Sequence, residues 1–199
     1  MAKNGVRELL ISTATDLFSK KKYLNTSIRE IGEAAKIHPS LLYHYFKNKE
    51  EILFTIIERF SIHLINSLQE VQSGEPDHLE GLRKMIFRHL LFIREFRREV
   101  LVTVEENTML KGRLRTEATS YQRRVYGLYL DQLTKLNELN LVRPLNLKVI
   151  CFSILGMINW FFRWYKEGGQ LNIEEAANQI VEITCLGIQN VNRNHGKIQ

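Results

Sequence analysis

Proline is nearly missing from these 199 residues, occurring three times, at positions 39, 76 and 144. A residue without an amide proton punctuates helices, so three so widely spaced leave long segments free for helical periodicity and little room for a sheet. Cysteine is scarcer still. Cys151 and Cys185 lie in apolar helical patterns and read as small packed hydrophobes. No signal peptide is expected before the first helical pattern, and the expected context is the reducing cytoplasm. No hydrophobic run is long enough to span a bilayer: the longest, Val149 to Phe162, has 14 residues and contains Ser153 and Asn159. It is expected to be a helix buried on nearly all sides, as at the centre of a dimer interface, and no membrane is expected as a partner.

Catalytic machinery is also lacking. The six histidines, at 38, 44, 63, 78, 89 and 195, form no metal-ligand spacing, and no glycine-rich loop follows a strand. No serine or cysteine nucleophile has a visible base. Glu105-Glu106 is a paired-carboxylate candidate and is read as a solvated helix face. Neither enzyme activity nor a metal nor a cofactor is expected.

What is present is positive charge, unevenly placed. The net charge is +6, and residues 1–50 hold nine Lys or Arg against five Asp or Glu, a surplus of four in a quarter of the chain. Nucleic acid is the expected partner of that quarter. Within it, Ser27-Ile28-Arg29-Glu30 has the spacing of a capping box, so a helix is expected to start there. Ile28, Ile31, Ala34 and Ala35 follow at helical spacing, and the pattern ends at Lys36-Ile37. Pro39 suits a first helical position, and a second short helix then turns Leu42, Tyr45 and Phe46 inward and Ser40, Leu41, Tyr43 and His44 outward. Asn48 and Glu51 offer a further cap.

Two short helices joined by a tight turn are the arrangement that inserts a recognition helix into the major groove. Thr26, Ser27, Tyr43, Tyr45 and Lys49 are types that donate to phosphate oxygens, and they fall at helix starts. Ser40, Leu41 and His44 are the candidates for base edges, beside Pro39, and Arg29 is suited to either. His38 faces DNA or solvent.

The run from Leu24 to Ile31 and on through Ser40 to Leu53, together with the stripe Val6, Leu10, Ala14, Leu17 and Phe18 in the first helix, resembles a TetR-family transcriptional regulator. The match covers roughly residues 5 to 55. It implies a homodimer that binds double-stranded operator DNA and has a ligand-responsive C-terminal domain. Gly32 departs from the alanine usual in the family, and glycine in a helix costs up to about 1 kcal/mol. The expected fold is all-α, with about nine helices: a three-helix DNA-binding domain at 1–50 and a ligand-binding and dimerisation domain at 51–199. A connector helix runs from Lys49 to the break at Ser73-Gly74-Glu75-Pro76-Asp77, and further helices are expected near 78–94, 96–107, 113–141, 145–167 and 173–192.

A second passage, Gly156 to Gly169, sets Trp160 and Trp164 one turn apart beside Asn159 and Arg163. Aromatic residues at that spacing serve as core or interface anchors, and Gly156 permits a close helix crossing. The passage is also similar, more loosely, to TetR-family members that sense acyl-CoA thioesters. That similarity implies an adenine or pantetheine contact from Trp160 or Trp164 and a phosphate contact from Arg163, with Asn159 beside them. Arg94 is a further basic candidate for the pocket mouth. The reading is a repressor released by a small hydrophobic effector. The alternatives are a multidrug sensor that receives a cation on Glu105 or Glu106, and a constitutive architectural DNA-binding protein.

Overall fold

A computed structural model of the chain describes residues 3–190. His195 and the expected end of the last helix near 192 lie outside the described residues. Among those described are nine α-helices: α1 (Lys3–Lys21), α2 (Ile28–Ala35), α3 (Pro39–Tyr45), α4 (Lys49–Gly74), α5 (His78–Glu95), α6 (Arg97–Glu106), α7 (Gly112–Glu138), α8 (Leu147–Trp164) and α9 (Ile173–Ile188). A 3-10 turn, Asn107–Met109, follows α6, and among the described residues no strand is formed beyond a single bridge between Val142 and Gln189. The chain divides into two compact units, one built from residues up to 63 and from 96–122, the other from 64–95 and from 123 onward.

In the first unit α1 packs on α2 and α6. Leu10, Ala14 and Phe18 of α1 are fully buried with Ile31, Leu42 and Phe46, apolar positions that the helical spacing singled out, and with Ile52 and Leu53 of α4. Ala34 is an exception and is exposed. Polar links reinforce the packing: Arg98 pairs with Asp16 at 2.5 Å, Lys22 pairs with Glu105, and Tyr121 Oη donates to Glu58 at 3.0 Å. The expectation of a solvated Glu105-Glu106 face is corrected here. Glu105 is half-buried against Lys22, and Glu106 is 5% exposed, because α6 turns that side toward its own unit.

In the second unit α5 packs against α8 and α9. Gln132 Nε2 donates to His78 O at 2.6 Å, and Tyr129 Oη donates to Met85 O at 3.2 Å. His89 Nδ1 lies 3.2 Å from the same phenol oxygen. With the phenol proton spent on Met85, Nδ1 of His89 is the donor in that contact. Burial pushes the His89 imidazole down to about 4. Cys151 and Cys185 are buried and free, and burial pushes the Cys151 thiol up to about 11.

α8 is not enclosed on nearly all sides. Its Ile150, Ile154, Ile158 and Phe161 are buried, whereas Val149, Phe152 and Trp160 are each more than 60% exposed. Ser153, Gly156, Asn159, Arg163 and Trp164 extend this open side, and nothing lies within 4 Å of the position a Gly156 Cβ would take. The apolar character reaches round more of the helix than its neighbours cover. α9 has the same property, exposing Ile183 and Leu186 while burying Ala177, Val181 and Cys185. By length and mean hydropathy (1.3) α8 alone among the described helices is apolar enough to cross a membrane, but a third of it is buried in the fold.

Candidate nucleic-acid interface

α2 begins where the capping spacing predicts. Ser27 is its N-cap, and Ser27 Oγ accepts from Glu30 N at 3.1 Å. The Glu30 carboxylate is paired with Lys21, whose ammonium holds the Glu30 carboxyl below its ordinary value. The helix ends at Lys36, in the left-handed conformation (φ 56°, ψ 39°), with Lys36 N donating to Glu33 O at 3.0 Å and Ile37 N to Gly32 O at 2.9 Å. Lys22, just past the end of α1, is also left-handed, with φ 73°.

Gly32 is more than a weak point in α2. A Cβ there would sit 3.2 Å from Leu42 Cδ1 and 3.3 Å from Ile37 O, so the missing side chain lets the turn and α3 close onto α2. The sequence expectation counted only the loss of helix propensity and missed this contact.

α3 starts at Pro39, with His38 as its N-cap. His38 Nδ1 lies 2.8 Å from Ser40 Oγ and accepts from Ser40 N at 3.4 Å. Leu42 and Phe46 are buried, and Tyr45 is half-buried against His44. Pro39, Ser40, Leu41, Tyr43 and His44 are exposed, and so is Arg29 in the first turn of α2. The structure thus brings the proposed base-reading residues onto one outward face of a seven-residue helix. The His38 cap was not legible, because caps are ordinarily Ser, Thr, Asp or Asn.

Thr26 and Lys49 stand elsewhere. Thr26 is 1% exposed, and its hydroxyl donates to Lys22 O at 3.0 Å, so that hydroxyl faces the fold and not solvent. Lys49 Nζ donates to Tyr23 O and to Thr26 O, both at 2.7 Å, and lies 4.1 Å from the centroid of the Tyr23 ring. Burial pulls the Lys49 ammonium below its ordinary value, and the Glu106 carboxylate opposes that shift. Lys49 is therefore a strut between the start of α4 and the turn that feeds α2. Asn48 caps α4 by accepting from Glu51 N at 2.8 Å, while Glu51 Oε2 accepts from Lys47 N at 2.7 Å.

Of the five residues assigned to a ligand, four lie on α8 and one, Arg94, on α5. Asn159, Trp160, Arg163 and Trp164 share the open side of α8, where Arg163 lies 5.5 Å from the Trp160 ring. Arg94 reaches Glu167 at 3.0 Å and Glu174 at 3.7 Å. A cavity of about 230 Å³ in the first unit is lined by other residues, among them Ile56, Arg59, Phe60 and Phe96. Among the described residues no three His, Cys, Asp or Glu side chains are grouped to hold a metal ion.

A capped short helix, a left-handed turn and a second helix with a polar and aromatic outer face make a helix-turn-helix, the element that DNA-binding regulators set in the major groove. Residues 10–56 match the family described as "Bacterial regulatory proteins, tetR family", and residues 75–188 match "Tetracyclin repressor-like, C-terminal domain". The chain belongs to the tetR family of DNA-binding transcriptional regulators, with a C-terminal ligand-binding domain.

Its relatives carry regulatory names. It is 25% identical over 190 residues to the HTH-type transcriptional repressor KstR2 of Mycobacterium tuberculosis H37Rv, covering 93% of this chain and 94% of that protein. It is 27% identical over 169 residues to the HTH-type transcriptional regulator HbdR of Aromatoleum sp. strain CIB, covering 79% and 68%. Among solved structures it is similar to AibR in complex with isovaleryl coenzyme A and operator DNA, with a TM-score of 0.83, 26% identity and coverage of 89% and 97%.

Proposed function

We propose that this protein is a cytoplasmic, homodimeric repressor. It reads a palindromic operator with two helix-turn-helix units and is released by a small hydrophobic effector, an acyl-CoA thioester. Residues 1–50 form the DNA-reading part, and residues 51–199 hold the effector and the dimer contacts. The protein acts by binding and carries no catalytic role. The observation that carries the effector class is the similarity to AibR along nearly its whole length, in a structure that holds both isovaleryl coenzyme A and DNA.

On the DNA side, Ser40, Leu41 and His44 read base edges, and Tyr43, Arg29, Ser27 and Tyr45 contact phosphate, with Pro39 fixing the start of α3. The exposure of all of these except the half-buried Tyr45 supports this division. Thr26 and Lys49 act from behind, holding the turn that orients α2. On the C-terminal side, the uncovered apolar flanks of α8 and α9 pack against the same flanks of a second copy, in the self-complementary way of a twofold interface. Trp160 and Trp164 anchor that contact, flanked by Asn159 and Arg163. The ion pairs of Arg94 with Glu167 and Glu174 support a structural role at the end of α8.

The test is fluorescence anisotropy on an operator fragment selected by the protein from random DNA, titrated with acyl-CoA thioesters of increasing chain length. At least a tenfold loss of operator affinity with one of them is expected. Equal affinity for all DNA sequences would instead mark an architectural protein.

A further inference from the structure

Buried polar atoms are almost always hydrogen-bonded, and each exception calls for a physical reason. Two exceptions lie on one short stretch of the first unit. Thr103 Oγ1 and Asn107 Oδ1 are buried and have no hydrogen-bond partner. The spacing 103, 106, 107 is i, i+3, i+4, so Glu106 shares their side of α6 and its 3-10 extension. All three residues are less than 10% exposed.

The hydroxyl of Thr103 is not merely idle. Thr15, Thr55, Thr116, Thr119, Thr134 and Thr184 all turn their hydroxyls back to the carbonyl four residues earlier. Thr103 has Glu99 O in the same register and does not use it. Asn107 gives its backbone carbonyl to Arg115 Nη1 at 2.5 Å, yet leaves its side-chain oxygen unmatched. Glu106 acts on Lys49 across the same unit, and two of the three ammonium protons of Lys49 go to Tyr23 O and Thr26 O.

We propose that Thr103, Glu106 and Asn107 form an acceptor site that takes the hydrogen-bond donors of the effector. This rests on the reading that the chain binds an effector at all. Three acceptors, one of them a carboxylate, select N–H or O–H groups and repel anions. An acyl-CoA would bring its pantetheine amides and hydroxyl here and keep its phosphates away, and a cationic drug would bring an ammonium. In either case the ligand meets the carboxylate that supports Lys49, and Lys49 holds the turn leading into α2.

The experiment uses the full chain and two near-isosteric variants, Thr103→Val and Asn107→Leu. Two quantities are read: the Tm without ligand, and the concentration of isovaleryl coenzyme A or ethidium that releases half of the operator. Removing an atom that has no partner leaves Tm unchanged or raises it, while the half-release concentration rises at least tenfold. A Tm lower by several degrees in both variants means that these atoms have structural partners, and the proposal falls. Unchanged half-release also overturns it while leaving the acyl-CoA reading intact. Release by ethidium alone, weakened in the variants, sinks the acyl-CoA reading and supports the acceptor site. If neither probe releases the wild-type chain, both fall.

Discussion

The Lys49 ammonium lies over the Tyr23 ring, 4.1 Å from its centroid, and donates to the Tyr23 carbonyl at 2.7 Å. A charge committed in this way stabilises the turn before α2. Lys49→Ala is expected to destabilise the protein by about 2 kcal/mol, the size of a charge-assisted hydrogen bond, and to lower Tm by roughly 4 to 8 °C in a chain of this size. The slope of log K against log salt for operator binding should stay as in the wild type. A slope lower by about 1 would mean that the ammonium reaches a phosphate instead.

Arg29 is the opposite case, exposed in the first turn of α2. Arg29→Ala should leave Tm within about 2 °C of the wild type, as surface substitutions do. It should reduce the salt slope by about 1 and weaken binding to operator and unrelated DNA alike. Loss confined to one base pair of the operator would reassign it to base reading.

Phe152 on α8 and Ile183 on α9 stand more than 60% exposed on apolar flanks. Phe152→Glu and Ile183→Glu should convert the dimer to monomer in sedimentation velocity and weaken operator binding at least tenfold, since about 2 kcal/mol or more is typical of an anchor lost from an interface. Arg163→Ala, on the same side, should act in the same direction. A dimer that persists together with a lost effector response would return Arg163 to the ligand.

His89 is buried, and burial pushes its imidazole from 6.5 down to about 4. Above pH 6.5 both folded and unfolded chains carry it neutral, so it adds no pH dependence. Between 6.5 and about 4 the unfolded chain binds a proton that the folded chain refuses, and stability falls as pH falls. From pH 6.5 to 5 this amounts to about 2 kcal/mol. Urea unfolding should show that loss in the wild type and not in His89→Gln; identical pH profiles would mean the imidazole takes up a proton as readily in the fold as in the unfolded chain.

Burial of the Cys151 and Cys185 thiols raises both, Cys151 to about 11. Thiolate is the reactive form. At pH 8 a disulfide reagent such as DTNB should label neither cysteine in the native protein within minutes, and both after urea unfolding. Rapid labelling of the native protein would place a thiol at the surface.

Helix existence was legible because apolar spacing and caps act locally. The expected helices at 78–94 and 96–107 stand at His78–Glu95 and Arg97–Glu106. Ends were less legible: the helix expected to reach 141 stops at Glu138, where Asn140 turns left-handed with φ 54°. The outward side of α3 was readable for the same reason, since Leu42 and Phe46 fix the inward side. Contacts between segments were not. Nothing near Lys49 in sequence signals that Tyr23 and Thr26 receive its protons, and nothing in Glu105-Glu106 tells which carboxylate α6 turns inward. What covers α8 was not legible, because an apolar stretch looks alike whether its own chain covers it or leaves it open.

Lys36 closes α2 in a backbone conformation, φ 56°, that glycine enters freely and lysine enters only with strain. Lys22 does the same after α1. For ease of backbone conformation alone, glycine would be the better residue at both elbows. Each keeps a long cation there despite the strain, so the two bends are suited to an anionic neighbour, which for Lys22 is Glu105 of its own unit.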